Sequence, residues 1–197
     1  LLLALRVMAA PMGLVGGAIA QVYLSGAPAQ KREGTLGAFT SSVISGLIRT
    51  GVGPLVFFGI VAPSIFPVVF GSEWLRAGEL ISWMTPWFVM QFVSSPVSMA
   101  LHVTNNQALA LYLQLFGLFL RTGFVLLAFY FLPETTVEVY AVSGFVFYFV
   151  YLFIVLRAVG VKAYFLFDRC KKDFLVVILW VGAALMLLSL VDGWGIK

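Results

Sequence analysis

The sequence is poor in charged residues, and that shortage decides which solvent the protein faces. Of its 197 residues, 10% are charged and 62% are hydrophobic, and the mean hydropathy is +1.06. A water-soluble domain has about a quarter of its residues charged, so this composition excludes an ordinary soluble fold. The chain must face lipid, where backbone polar groups are satisfied within helices or a closed barrel.

Cysteine, histidine and acidic residues are also scarce, and each shortage excludes a class of site. Cys170 is the single cysteine, His102 is the single histidine, and eight acids are scattered along the chain. One cysteine excludes an internal disulfide and a cysteine metal cluster. The remaining ligands lack the grouping that a metal centre needs. We therefore expect no resident metal and no cofactor.

Six apolar stretches fill most of the chain and predict an all-α, polytopic membrane bundle. They are about 20 residues or longer and lack strict alternation, which favours membrane-spanning helices over barrel strands. The predicted helices cover residues 1–24, 38–70, 75–102, 108–132, 139–156 and 174–191. The second is longer than a bilayer requires, and we expect Pro54, Pro63 and Pro67 to bend or interrupt it. Glu73 and Glu79 suit the N-terminus of the third helix, and apart from Glu79 no acid lies within these stretches.

The placement of the basic residues predicts the orientation of a single membrane domain over residues 1–197. Seven of them follow the first, third or fifth helix: Lys31, Arg32, Arg157, Lys162, Arg169, Lys171 and Lys172. The opposite side holds Arg76 and Lys197. Because basic loops stay on the cytoplasmic side, we expect the loops near Lys31 and at residues 157–173 to be cytoplasmic. The chain begins within an apolar run, so we read it as a fragment whose earlier helices are missing.

Arginines inside apolar stretches are the leading candidates for function, because a charge in the bilayer core is costly. Arg121 lies near the middle of the fourth helix, and Gln114 lies two turns earlier on roughly the same face. They predict a cationic cavity wall that binds an anionic headgroup; the alternative is an arginine that bonds a neighbouring helix. Arg49 and Arg6 are further candidates. Snorkelling to the interface explains Arg49 equally well, and the depth of Arg6 is undefined.

A polar stripe on the third helix is the second candidate. Gln91, Ser95, Ser98 and His102 follow a spacing of three or four, which places them on one helical face. Such a stripe can line a hydrated path or bind sugar hydroxyls, although small hydroxylated residues also serve ordinary helix packing in lipid. His102 lies near the end of the helix, and we interpret it as an interfacial residue. We assign Trp74, Trp83 and Trp87 to an interfacial aromatic belt at the outer end of this helix.

Two sequence blocks carry a family resemblance. The stretch FGSEWLRAGELISWMTPWFVMQFVSSPVSMALHVTNNQ covers residues 70–107, and LRVMAAPMGLVGGAIAQVYL covers residues 5–24. Both resemble the oligosaccharide flippases of polysaccharide and O-antigen biosynthesis, within the multidrug/oligosaccharidyl-lipid/polysaccharide exporter superfamily. The later helices are similar in pattern only. The resemblance implies two six-helix lobes around a central cavity, with this chain supplying most of the C-terminal lobe (about residues 1–158) and an additional helix.

The resemblance also implies an activity, which is translocation of a polyprenyl-diphosphate-linked oligosaccharide across the cytoplasmic (inner) membrane. We expect Arg121, Gln114 and Arg6 to hold the headgroup, and Gln91 with the neighbouring serines to contact the sugar. The implied partners are this lipid-linked substrate, membrane lipids, the missing N-terminal lobe and a polysaccharide polymerase, with no nucleic acid.

Two other function classes remain open. One is an ion-coupled small-molecule antiporter of the same superfamily, which needs a membrane acid that these apolar stretches lack. The other is a membrane-embedded glycosyl- or acyltransferase. Such an enzyme needs a general base or metal-binding carboxylates, and the chain has no paired-acid motif. We therefore expect a transporter rather than an enzyme.

Overall fold

Helices make up every regular element that the structure describes. The computed structural model describes the backbone over residues 2–193 and the side chains over residues 12–13, 15–162 and 164–190. The helices are α1 (Leu2–Arg32), α2 (Leu36–Leu47), a π-helical segment (Ile48–Val52), α3 (Gly53–Phe70), α4 (Leu75–Val97), α5 (Ala100–Val103), α6 (Gln107–Phe131), α7 (Thr136–Ala158) and α8 (Ala163–Gly193). Short 3₁₀ turns at Ser72–Trp74 and Pro133–Thr135 precede α4 and α7. The all-α prediction is confirmed.

Four helical segments are long and apolar enough to cross a membrane, so the count of six spans is not confirmed. They are Leu36–Phe70, Gln107–Phe131, Pro133–Ala158 and Tyr164–Leu190. The search covered the described residues only, and the side chains of the first third of α1 lie outside them. The third predicted span corresponds to α4, which carries Arg76, Glu79 and several polar side chains. Because α4 is covered by other helices rather than by lipid, it does not need the same apolar composition.

α4 is the centre of the bundle. It contacts α1, α3 and α7, whereas α8 contacts chiefly α3, and α6 contacts chiefly α7. Ile81, Met84 and Val97 of α4 are completely buried. By contrast, buried residues make up 17% of the most apolar window of α6 and 6% of that of α8. α6 and α8 are therefore peripheral helices with large lipid-facing surfaces.

Glycines set the closest approaches between the helices around α4. A Cβ added at Gly78 would lie 2.5 Å from the backbone oxygen of Ala62 and 2.8 Å from Cα of Pro63. A Cβ at Gly144 of α7 would lie 2.5 Å from the ring of Trp87. Small residues at such crossings allow the contact that drives helix association in lipid.

The second predicted helix is continuous, and its prolines interrupt it less than expected. α2, the π-helical segment and α3 follow one another without a break from Leu36 to Phe70. The irregularity lies at Ile48–Val52, directly before Pro54. A π turn is wider than an α turn, so it accommodates a ring that lacks an N–H donor. Pro63 and Pro67 lie inside α3 without ending it.

The first predicted connection is mostly helical. We expected a loop over residues 27–37, but α1 continues to Arg32. Alanine, glutamine, lysine and arginine in this stretch are favourable helix formers. The Nζ of Lys31 donates a hydrogen bond to the backbone oxygen of Val103 at 2.7 Å, and this contact ties the end of α1 to α5.

The fifth predicted connection is also mostly helical, because its polar side chains dock on α2. α8 begins at Ala163. Asp173 is buried and accepts a hydrogen bond from Ser45, and Arg169 donates to Ser42 at 2.6 Å. The candidate span Tyr164–Leu190 consequently contains Asp168 and Asp173. The predicted sixth stretch, residues 174–191, contains no acid, but the helix begins earlier than predicted and therefore includes these two carboxylates.

The turn around Trp74 also differs from the expectation. Glu73 and Glu79 do not cap α4, since no side-chain hydrogen bond caps its start. Instead, Arg76 pairs with Glu79 at 3.0 Å and with Glu138 of α7. Arg76 is half-exposed, so the pairs fix the spacing of α4 and α7 more than they stabilise the fold.

The crossing at Gly78 yields a stability prediction. Gly78→Ala places a methyl group against the α3 backbone, which cannot move aside, and we expect a loss of about 1–3 kcal/mol in the free energy of unfolding. The measurement is the unfolding midpoint of the purified protein in detergent. Gly46→Ala is the matched control, because a Cβ there meets nothing within 4 Å and alanine is the better helix former. Equal midpoints for the two variants would contradict the close contact between Gly78 and the backbone of α3.

Candidate functional site

Three of the predicted stripe residues line one cavity between α1 and α4. Gln91, Ser95 and Ser98 form part of the wall of a space of about 310 Å³. His102 is exposed on α5 and does not border this space. The spacing of three and four therefore places the first three side chains on a common face, as the sequence predicts, whereas the fourth lies beyond the end of α4.

The opposite wall of this cavity consists of small residues of α1. Gly13, Gly16, Gly17 and Ala20 border it. A Cβ added at Gly13 or Gly17 would meet nothing within 4 Å. The absence of side chains at these glycines leaves space in front of α4.

Gln91, one of the lining residues, has an acceptor without a partner. Its Oε1 is buried and accepts no hydrogen bond. Ser98 Oγ donates to the backbone oxygen of Ser95 at 2.6 Å, and Ser94, which is buried, donates to Met90 at 2.6 Å. Buried acceptors are normally satisfied by protein or by water. A hydroxyl group in the cavity would supply the donor that Gln91 lacks.

Arg121 lies in an aromatic cage, which we define as Trp87, Phe147 and Tyr148. Its guanidinium carbon is 4.7 Å from the ring centroid of Phe147, 5.5 Å from Tyr148 and 5.9 Å from Trp87. Gly117, four residues earlier on α6, makes room for the cage, because a Cβ there would lie 2.4 Å from the ring of Phe147. Ring faces attract the cation by about 2 kcal/mol or more in a desolvated setting.

The cage provides no hydrogen-bond acceptor for the arginine. Nε and Nη2 of Arg121 are buried without partners, and so is Nε1 of Trp87. None of the salt bridges in the described part of the chain involves Arg121. Each unpaired buried donor costs about 1–3 kcal/mol, so this position favours an acceptor, and an anion above all.

Gln91 belongs to the same neighbourhood as these donors. It lies four residues after Trp87, which is about one turn or 6 Å along α4. We call Trp87, Gln91 and Arg121 the polar cluster, since each carries a buried polar atom without a partner. All three lie near the middle of their helices, where a charge is most costly in a bilayer.

The remaining predicted site residues do not join the polar cluster. Gln114 is exposed on α6, and Arg49 is exposed in the π-helical segment. Neither lines the cavity between α1 and α4. Arg6 lies in α1, and its side chain is outside the described residues.

Trp87 is the residue whose role the sequence alone does not indicate. We expected it in an interfacial belt with Trp74 and Trp83. Trp83 is 56% exposed, in keeping with a surface position, but Trp87 is 5% exposed. Its ring stacks on Phe88, with centroids 5.1 Å apart, and closes onto Gly144. Gly144 on α7 is a sequence feature that allows this packing, but a sequence does not reveal which aromatic ring packs against a glycine.

Comparison with protein-family models, curated proteins and solved structures gives no match to this chain. The family assignment therefore stays a prediction that depends on the two sequence blocks.

The unpaired guanidinium gives a second stability prediction. Arg121→Met keeps the bulk in the cage and removes a charge that lacks an acceptor, so we expect the free energy of unfolding to stay unchanged or to rise by about 1 kcal/mol. Chemical denaturation in detergent measures it, with Lys172→Met as the exposed control. A loss of about 2 kcal/mol or more would instead make the cage a structural element.

Proposed function

We propose that this chain belongs to a flippase that carries a polyprenyl-diphosphate-linked oligosaccharide across the cytoplasmic membrane. The observation that carries the proposal is the polar cluster. Unpaired donors on Arg121 and Trp87 lie at mid-helix, and Trp87 lies one turn before Gln91, which lines a cavity together with Ser95 and Ser98. Each buried polar atom without a partner destabilises a membrane protein, so helix packing alone does not account for these atoms.

The cargo chemistry matches these groups. A diphosphate supplies anionic oxygens that accept from the guanidinium in a fork-like geometry and from the indole N–H. Sugar hydroxyls donate to the free oxygen of Gln91 and accept from Ser95. The polyprenyl chain needs no polar path, since it remains in the bilayer beside the peripheral helices.

The arrangement of basic residues supports the proposed orientation. Lys31 reaches Val103, and a Cβ at Gly37 would lie 3.0 Å from the backbone oxygen of Val159. The ends of α1, α5 and α7 thus lie together with the start of α2, and we assign this end to the cytoplasm. The Arg76–Glu138 pair lies at the opposite end.

In a two-lobe protein, the exposed candidates Gln114 and Arg49 would contact the cargo if their helix faces border the space between the lobes. Arg6, whose side chain lies outside the described residues, stays a further candidate for the headgroup. The N-terminal lobe, a polysaccharide polymerase and the lipid-linked substrate are the proposed partners.

Export of surface polysaccharide tests the proposal in cells that carry the full-length protein. Arg121→Met removes the anion contact, and the loss of charge-assisted hydrogen bonds is expected to lower export by about tenfold or more. Immunoblotting of membranes establishes equal protein levels. Lys172→Met, an exposed cation outside the cluster, is the matched control. Wild-type export by Arg121→Met at wild-type abundance would reject the assignment.

A second function is favoured by one observation, the buried carboxylate of Asp173. An ion-coupled antiporter needs an acid within the membrane, and Asp173 lies in a candidate span with a hydrogen bond from Ser45. This residue removes the objection that the sequence raises against an antiporter.

Dye efflux from proteoliposomes distinguishes the two functions. If the protein is an antiporter, a proton or sodium gradient drives efflux, and Asp173→Asn abolishes it because the amide cannot carry the charge. Asp168→Asn is the control, since Asp168 is exposed and pairs with Lys171. Wild-type vesicles that show no gradient-dependent efflux would exclude the antiporter.

A further inference from the structure

An apolar cleft separates α8 from the central helices. α8 packs along α2, the π-helical segment and α3, which leaves a space of about 270 Å³ toward α4 and α7. The side chains around this space carry no charge, and they include Val89, Met90, Val93, Leu152, Leu166 and Phe174. Such a cleft between spanning helices admits a hydrocarbon chain.

A second, cationic cavity lies at the turn between α7 and α8. Its volume is about 420 Å³, and Arg157 and Lys162 line it together with Phe153. The guanidinium of Arg157 stacks over Phe153 at 5.1 Å from the ring centroid. Gly160, with φ of +74°, forms the turn between the two cations. No carboxylate lines this cavity.

The two cavities are stacked along the same pair of helices. Leu166 of α8 follows Lys162 by four residues. On α7, Leu152 lines the cleft and lies four residues before Leu156, which lines the cationic cavity, so the two leucines share a helical face. At 1.5 Å per residue, the apolar cleft begins about 6 Å from the level of the cationic cavity, toward the middle of the bundle. A molecule that occupies both needs an anionic end and a hydrocarbon end.

We propose that this site binds an anionic glycerophospholipid, with its phosphate at Arg157 and Lys162 and an acyl chain in the cleft beside α8. Charge complementarity selects the headgroup, since each cation near the membrane surface contributes attraction to an anionic lipid. The apolar cleft selects a lipid over a soluble phosphate ester. This site is separate from the polar cluster, so it stands whether or not the protein is a flippase.

The bound lipid would fill a gap that the helices leave. α8 has few buried side chains, and its contacts with the bundle run along one side only. A chain in the cleft adds contacts on the side of α4 and α7, and the lipid thereby stabilises the docked position of α8.

Thermal unfolding of the purified, delipidated full chain in a neutral detergent tests the site. Phosphatidylglycerol is expected to raise the unfolding midpoint more than phosphatidylcholine, and glycerophosphate to leave it unchanged. The double variant Arg157→Gln, Lys162→Gln should weaken phosphatidylglycerol binding by about tenfold or more. Lys172→Gln, an exposed cation that lines neither cavity, should bind as the wild type does.

Each other outcome overturns the proposal. An equal response to both lipids would show that the site does not select the headgroup. An equal loss of phosphatidylglycerol binding in Lys172→Gln would show that the net charge of the protein, rather than this site, attracts the lipid. Glycerophosphate that stabilises as well as the lipid would mean a soluble anion site. Leu166→Trp fills the cleft without changing the cations. Unchanged phosphatidylglycerol binding in that variant would show that the acyl chain does not occupy the cleft.

Discussion

The bundle depends on one constraint, which is that polar atoms within a bilayer must be covered by protein. α4 carries Gln91 and several serines and threonines, and α1, α3 and α7 surround it. Glycines at Gly78 and Gly144 bring the covering helices close enough to exclude lipid. Because these neighbours provide the apolar surface, α4 tolerates Gln91 and its serines. The polar cluster can exist because this shield surrounds it.

The same constraint explains why the unpaired atoms matter. Ser94 and Thr85 satisfy their hydroxyls on the preceding turn of α4, as polar residues in a packed membrane helix generally do. Arg121, Trp87 and Gln91 leave atoms without partners. Within one small region, therefore, some polar side chains bond to the backbone of their own helix, whereas others keep polar atoms without a partner. A group that enters from outside the described residues is the simplest source of the missing partners.

Composition and apolar length were sufficient to predict an all-helical membrane protein, since burial in lipid leaves few alternatives. The boundaries at Arg32 and Ala163 could not be predicted, because tertiary contacts from Lys31 to Val103 and from Asp173 to Ser45 stabilise helix in charged sequence. Within the site, helical spacing indicated that Gln91, Ser95 and Ser98 share a face. It did not indicate that Trp87 and two rings of α7 surround Arg121, because that contact depends on how three helices cross.

The attachment of α6 has a consequence for how the protein enters the bilayer. α6 packs chiefly on α7, and a connection at Leu132–Thr135 joins the two helices. A lone arginine at the centre of an inserting helix costs about 2.5–3.5 kcal/mol, and two of the three rings that receive Arg121 belong to the helix synthesised next. We therefore expect the hairpin to insert into the membrane as a unit, because α6 acquires its electrostatic partner when α7 follows it into the lipid.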